Sequence, residues 1–280
     1  MTLGQINYFY FVQYLLLILK VVNLRNIVIE RNANIGKNVH IGNFTTIEND
    51  VVIGENTWIG NNVTILNGCR IGNNCQIHSG AVLGGIPQDF KFNGEYTLLE
   101  IGNYNSIREF VTINRGTASK GKTVVGNHNL IMSNVHIGHD CFIGDHCIIG
   151  FSVGMAGEVI VEDHVNISGL SAIHQFSVIG RHSIISGISR IVKDVPPFIM
   201  AAREPLSYVG LNVVGLKRKG FSSDKIEELK NIYRIIFQER RNTTLALDLI
   251  ENEFEQSNER DLILDFIKNS KRGIVKGSFS

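Results

Sequence analysis

The sequence predicts an all-β parallel β-helix of triangular cross-section, closed by a small C-terminal α-helical domain. Three observations predict it. An aliphatic residue recurs at every sixth position through two long stretches, glycine or asparagine often stands beside it, and a helical period replaces the six-residue one only near the C-terminus. The aliphatic frame runs from Ile29 through Ile35, Ile41, Ile47, Ile53, Ile59, Ile65, Ile71 and Ile77 to Leu83. It resumes at Ile101, Ile107 and Ile113, and runs again from Val125 through Ile131, Ile137, Ile143, Ile149, Met155, Val161, Ile167, Ile173, Ile179 and Ile185 to Ile191. A period of six suits neither a 3.6-residue helix nor an alternating strand. It suits a coil in which each unit is one short strand and one turn, and three units of about 18 residues stack as parallel strands. The aliphatic points inward, and the neighbouring Gly or Asn permits a turn with φ > 0.

The elements follow in order. Residues 1–26 form an N-terminal extension, in which Tyr8 to Leu19 are apolar except for Gln13, and Lys20 ends the run. The run is shorter than the roughly 20 residues a membrane span needs, and it lacks the charged start and small-residue cleavage site of a signal peptide. No stable span is expected, and an end cap or extension is favoured over an interfacial anchor. Residues 27–197 form the β-helix. Two segments inside it, 84–100 and 114–124, lack the aliphatic where it is due and read as loops thrown out from the coil, where function often resides. Pro196 and Pro197 end the strand pattern. Residues 198–280 form the helical domain. Ser222 or Ser223 caps its first helix, Asp224 suits the first turn, and Ile226, Leu229, Ile232, Tyr233, Ile236 and Phe237 make one apolar face. Amphipathic segments follow near 243–255 and 259–268.

Composition narrows the function. A formal net charge of +1 gives no global basic field, so nucleic acid is not an expected partner. Cys69, Cys75, Cys141 and Cys147 all precede an aliphatic position by two, where Ala33, Val39, Val51, Val63 and Ala81 also occur, so they read as small core residues. Nothing in their spacing suggests a zinc or redox site or demands an oxidising compartment, and a cytoplasmic location is expected.

Residues 18 apart stack, so His139, Gly157 and Gln175 form a column, with His136 and His174 flanking it. At an inter-strand spacing of about 4.8 Å, these groups converge within about 10 Å along the axis. A neutral imidazole at His139 can take a proton from a hydroxyl, and Asp140 can orient it. The plainer reading makes these histidines turn residues packed against a neighbouring subunit. The column and the adjacent loops favour chemistry.

The stretches IPQDFKFNGE (86–95), IREFVTINRGT (107–117), NVHIGHDC (134–141), SAIHQFSVIG (171–180), DVPPF (194–198) and LNVVGLKRKGF (211–221) give the chain a specific resemblance. In that order, spanning roughly residues 27–240, they resemble the UDP-N-acetylglucosamine O-acyltransferases, which catalyse the first step of lipid A synthesis. The resemblance implies a left-handed coil, an exception to the usual right-handed crossover. It implies His139 as general base toward the sugar 3-hydroxyl, Asp140 as its support, and the Gly157 amide as oxyanion donor. It implies that Asp89, Lys91, His136, His174 and Gln175 line the substrate site. Asn212, Arg218 and Lys219 would meet the nucleotide phosphates or the acidic acyl carrier protein, and Gly187 would leave room for a longer 3-hydroxyacyl chain. A homotrimer with sites between subunits is implied, with no metal and no diffusible cofactor, since phosphopantetheine arrives on the carrier protein. The chain departs from the family pattern at Asn114 and Glu158, where histidine is common, at Val214, often acidic, and at Lys219, often arginine. The alternatives are N-acylation of a 3-amino UDP-sugar by the same site, a zinc enzyme of the γ-carbonic-anhydrase type, and a non-catalytic hexapeptide scaffold. A hexapeptide N-acyltransferase with its own N-terminal domain is disfavoured, because only 26 residues precede the coil.

Overall fold

A computed structural model of the chain describes residues 26–238 and 242–277. The N-terminal extension, with the apolar run Tyr8 to Leu19, lies outside the described residues except for its last residue. Short strands, most of two residues, wind through three parallel sheets of nine, eight and eleven strands. Strands ending at Ile29, Ile47, Ile65 and onward to Ile191 make the first sheet, those ending at Ile35 through Ile179 the second, and those ending at Ile41 through Ile185 the third. Each strand pairs with the one a coil later. Ile137 lies beside Met155, and Met155 beside Ile173. The ladder is continuous, with amide bonds from His136 to the Val153 carbonyl at 2.9 Å and from Gly138 to that of Met155 at 3.0 Å.

The six-residue frame is the core. From Ile47 to Ile191 its aliphatics are almost completely buried, as are the small residues two positions earlier. All four cysteines are free and buried there. Burial pushes the thiols of Cys69, Cys141 and Cys147 up to about 12, so they pack as neutral hydrophobes.

The corners differ from the sequence expectation. The glycine directly after the aliphatic does not supply the left-handed turn. It permits contact between coils: a Cβ on Gly54 would lie 2.5 Å from the Gly72 carbonyl carbon. The left-handed residue stands three positions after the aliphatic instead. Asn38, Asn56, Asn62 and Asn74 hold φ of 56° to 57° there, and Phe44, Leu170 and Ile188 hold 58° to 60°. Asparagine tolerates this region, whereas bulky and branched residues enter it only when the surrounding structure dictates it.

The two loops are shorter than the broken register suggests. Strands Val82–Gly85 and Leu98–Ile101 bracket the first, and Thr112–Asn114 and Lys122–Val125 the second, leaving 86–97 and 115–121 outside the strands. The difference arises because Leu98–Ile101 pairs along its whole length with Lys122–Val125, burying Leu99.

The strand pairing also continues past Pro196 and Pro197. Ile199–Ala202 adds to the third sheet beside Ile184–Ile185 and turns back antiparallel into Ser207–Leu211. Val195, a core residue, bridges Ile179, so the prolines fit a corner without stopping the sheet. Four helices follow: α1 (Val213–Arg218), α2 (Ser223–Phe237), α3 (Thr243–Glu253) and α4 (Asn258–Asn269). Ser222 caps α2, its hydroxyl accepting from the Lys225 amide. The fully buried Tyr233 of α2 donates to the Pro197 carbonyl at 2.6 Å and packs with Tyr208 and Phe237, locking the helices to the coil end. Among the described residues no helix is long and apolar enough to cross a membrane.

Because Ile149 is fully buried in the middle of the stack, Ile149→Ala should destabilise the fold by about 2–5 kcal/mol. Urea unfolding followed by circular dichroism measures it, with the midpoint expected to fall clearly below that of the unaltered chain.

Candidate active site

The corner between the first and second sheets holds an open cleft of about 610 Å³. Gln88, Asp89 and Lys91 of the first loop line it, together with Asn114, His136, His139, Gly157, Gln175 and Phe176. Strand pairing sets the positions of His139 and Gly157. Both stand two residues beyond a core aliphatic on successive coils, and the Glu158 amide donates to the His139 carbonyl at 2.9 Å.

His139 is 8% exposed, so its ring is held while one edge reaches the cleft. Its Nδ1 lies 2.8 Å from Oδ2 of Asp140, whose side chain is completely buried. That carboxylate is itself fixed by the second loop. Thr117 donates its hydroxyl to Oδ2 at 2.6 Å and its amide to Oδ1 at 2.9 Å. The Asp140 amide donates to Thr123 Oγ1 at 2.8 Å, and φ of 60° turns the carboxylate under the imidazole. An ionised carboxylate only accepts, so the proton of neutral His139 resides on Nδ1 and the Nε2 lone pair is free. Asp89 Oδ2 stands 3.9 Å from Nε2, across the cleft.

Gly157 faces that ring. A Cβ there would lie 2.5 Å from both Cε1 and Nε2 of His139, so only glycine fits. At the corner between the second and third sheets, a ladder of side-chain oxygens occupies the equivalent amides: Glu55, Asn73, Asn103, Asn127 and Asp145 each donate to an Asn or Asp one coil later. Above His139 the corresponding residue is glycine, and the ladder is broken. Among the described residues no protein oxygen accepts from the Gly157 amide, which is thereby left for a ligand.

His136 lines the wall, its Nδ1 2.8 Å from Thr112 Oγ1, and burial lowers its pKa so that it stays neutral. Lys91 is exposed, and its amide donates to Asp89 Oδ1 at 3.0 Å, shaping the loop tip. Arg115 stacks over Phe92, and the Ala118 amide donates to Glu95, joining the two loops. Asn114 donates to the Ile86 carbonyl at 2.8 Å and is buried.

Not every expected residue joins this cleft. His174 is exposed with Nδ1 3.0 Å from the Gln175 carbonyl, and it does not line the cleft. Asn212 is buried as the cap of α1: its Oδ1 accepts from the Gly215 amide, and its Nδ2 donates to the His182 carbonyl at the corner between the second and third sheets. Arg218 and Lys219 are exposed at the end of α1, as is Val214 near its start. Gly187 is exposed at the corner between the third and first sheets. Glu158 occupies the left-handed corner position with φ 59°. Sequence reasoning assigned no role to Thr117, Thr112 or Thr123. The signal for Thr117 was its place inside the second interruption.

A family profile described as UDP N-acetylglucosamine O-acyltransferase, domain 2, matches residues 194–275, and the bacterial transferase hexapeptide profile matches 50–85 and 122–157. The acyl-[acyl-carrier-protein]–UDP-N-acetylglucosamine O-acyltransferase of Thiobacillus denitrificans is 42% identical over 196 residues, 69% of this chain and 76% of that protein. The chain belongs to the UDP-N-acetylglucosamine O-acyltransferase family. The Burkholderia orbicola member is 41% identical over 201 residues, 70% of this chain and 77% of its own. The crystal structure of the Bacteroides fragilis UDP-N-acetylglucosamine acyltransferase, 51% identical, superposes with a TM-score of 0.88 over 90% of this chain and 98% of its own. The Acinetobacter baumannii structure, 41% identical, gives 0.87 over 90% and 98%. The coil is accordingly the left-handed parallel β-helix of this acyltransferase family.

Two substitutions test the site. Gly157→Ala should displace the imidazole and lower kcat for acyl transfer by about 10²–10³ with the fold intact by circular dichroism. Thr117→Val removes one charge-assisted hydrogen bond from Asp140, worth about 1.5–3 kcal/mol, and kcat measured at saturating substrate should fall by about ten- to a hundredfold.

Proposed function

We propose that the chain transfers a 3-hydroxyacyl group from acyl carrier protein to the 3-hydroxyl of UDP-N-acetylglucosamine, the first step of lipid A synthesis, in the cytoplasm. One observation carries the reading: His139, fixed through Nδ1 by a buried carboxylate, presents a free Nε2 beside a glycine amide with no protein acceptor. Nε2 takes the hydroxyl proton as the sugar oxygen attacks the thioester carbonyl. The carbonyl oxygen gains the charge and accepts from the Gly157 amide. Asp140 stabilises the imidazolium, with Asp89 adding negative charge on the far side. As the tetrahedral intermediate collapses, the carbon–sulfur bond breaks and His139 returns the proton to the pantetheine sulfur. His136, Gln175, Asp89 and Lys91 line the acceptor's place.

Of the remaining expected contacts, His174 stands outside the cleft at the same corner, and Asn212, Arg218, Lys219 and Gly187 stand elsewhere. In a homotrimer, His174, Arg218, Lys219 and Gly187 belong to the wall that a neighbouring subunit contributes, with Asn212 acting behind it as the cap that positions α1. Arg218 and Lys219 suit the diphosphate or the acidic carrier, and Gly187 leaves space for a longer chain. The reaction needs no metal and no diffusible cofactor beyond the carrier's pantetheine.

The test is incubation with UDP-N-acetylglucosamine, its 3-amino analogue and a panel of 3-hydroxyacyl carrier proteins, with products identified by mass spectrometry. An ester of the 3-hydroxyl, favoured with longer chains, is expected. Reaction of the amino analogue alone, exclusive use of short chains, or stoichiometric zinc with activity lost on chelation would each refute the corresponding part. His139→Ala should reduce kcat by about 10²–10⁴, and unchanged turnover would leave only a scaffold.

A further inference from the structure

The corner between the second and third sheets carries a column that the proposed reaction does not use. Tyr104, His128, His146, His164 and His182 occupy its left-handed position on successive coils, with φ between 58° and 62°. Their rings are stacked. Centroids lie 4.8 Å apart for Tyr104–His128, 4.9 Å for His128–His146 and for His146–His164, and 4.6 Å for His164–His182. Interplanar angles rise from 3° to 21° along the stack. The C-terminal end is closed by Phe198 at 5.7 Å and by the edge of Phe221 at 5.5 Å. Phe221 follows α1, and Asn212, the α1 cap, donates to the His182 carbonyl at 2.8 Å. The segment from Lys217 to Phe221 therefore rests on the last imidazole.

The charges facing the stack are few. Asp145 and Asp163 stand beside it on the same corner, each using Oδ1 to accept backbone amides. Arg181, one residue before His182, has its Nε 3.4 Å from Glu162. Lys219 reaches the same end from α1 and acts on both His164 and His182. Neutral imidazoles stack favourably with aromatic rings. Two charged rings at these separations repel, because like charges within about 4–6 Å disfavour the charged form.

We propose that His164 and His182, the last two imidazoles of the stack, form an acid-sensitive latch that fastens the Lys217 to Phe221 segment onto the coil, closed while these two rings are neutral and opened when they take up protons. Burial, then neighbouring positive charge, holds His164 below the ordinary imidazole value and His182 down to about 4. Both values are lowered on folding, so the latch contributes fully above about pH 6.5, where folded and unfolded chains are alike neutral. Its contribution is lost as pH falls between about 6.5 and about 4, where the open chain binds protons that the closed stack refuses. Opening at α1 frees His182 without unwinding the coil, so the segment should loosen before the core does.

The corner itself supplies the test variants. Asn38, Asn56 and Asn74 hold this same position in earlier coils, and Tyr104 and Phe198 show that it takes an aromatic ring. The doubly substituted chains His164→Phe with His182→Phe, and His164→Asn with His182→Asn, remove the two imidazoles of the latch at a site that accepts both residue types. Hydrogen exchange over residues 213–221, corrected for intrinsic rates, is measured at about pH 7.5 and about pH 5, on either side of the free imidazole value. The unaltered chain should lose about tenfold or more of its protection in this segment on acidification, while the Phe pair keeps it. The Asn pair should be equally insensitive to pH from a lower starting protection. If the Asn pair does not fold, the Phe pair decides. Equal loss of protection in the Phe pair and the unaltered chain would overturn the proposal, as would NMR titration of the His164 and His182 rings at the free imidazole value.

Discussion

Coil-on-coil registry is the constraint on which the rest of this structure depends. Strand amides bond carbonyls of the adjacent coils, so each residue's neighbour is set by chain distance and not by choice of partner. That registry turns a six-residue aliphatic frame into a continuous core. It also forces the corner residue three positions on into the left-handed region, even where the side chain is phenylalanine, leucine or isoleucine. Where the coils approach most closely, as at Gly54 and Gly72, no side chain fits directly after the aliphatic, and glycine recurs there. The backbone ladder, the inward aliphatics and the glycine contacts are thus three consequences of one repeat.

The same registry makes the functional corner unlike the others. At the corner between the second and third sheets, Asn and Asp side chains climb coil by coil, each occupying the amide below. At the corner between the first and second sheets the ladder is replaced by His139, Gly157 and Gln175. A glycine above the imidazole both admits the ring and leaves an amide without a protein acceptor. The second loop then turns a surface aspartate into a buried one: Thr117 supplies two hydrogen bonds to Asp140, and Asp140 fixes the histidine tautomer. A rigid scaffold therefore bears the reacting group, and the loops tune it.

Much of this was legible in advance for a specific reason. In a solenoid, residues 18 apart are neighbours wherever the repeat is intact, so the column through His139 could be written from residue numbers, and the inward cysteines likewise. Legibility fails where the repeat does. The extent of the two loops depended on strands Leu98–Ile101 and Lys122–Val125 pairing beyond the aliphatic position. The role of Thr117 depended on how the second loop folds back, which no period encodes. Past Pro197 the added strands Ile199–Ala202 and Ser207–Leu211 extend the sheet into a segment that the sequence assigns to the helical domain.

The sequence by itself determined the coil, its core, the identity of the four cysteines as packing residues, and the stacking of His139 over Gly157, because a fixed period makes sequence separation a spatial coordinate. Tertiary structure alone decided that Asn212 is spent on capping α1 and holding His182, that His174 stands outside the cleft, and that Asp140 is anchored by Thr117. It also decided that Phe221, beyond the repeat, closes the end of the histidine column against His182. These outcomes rest on side-chain rotamers, loop closure and packing across non-repeating segments, where separation along the chain no longer measures distance in space.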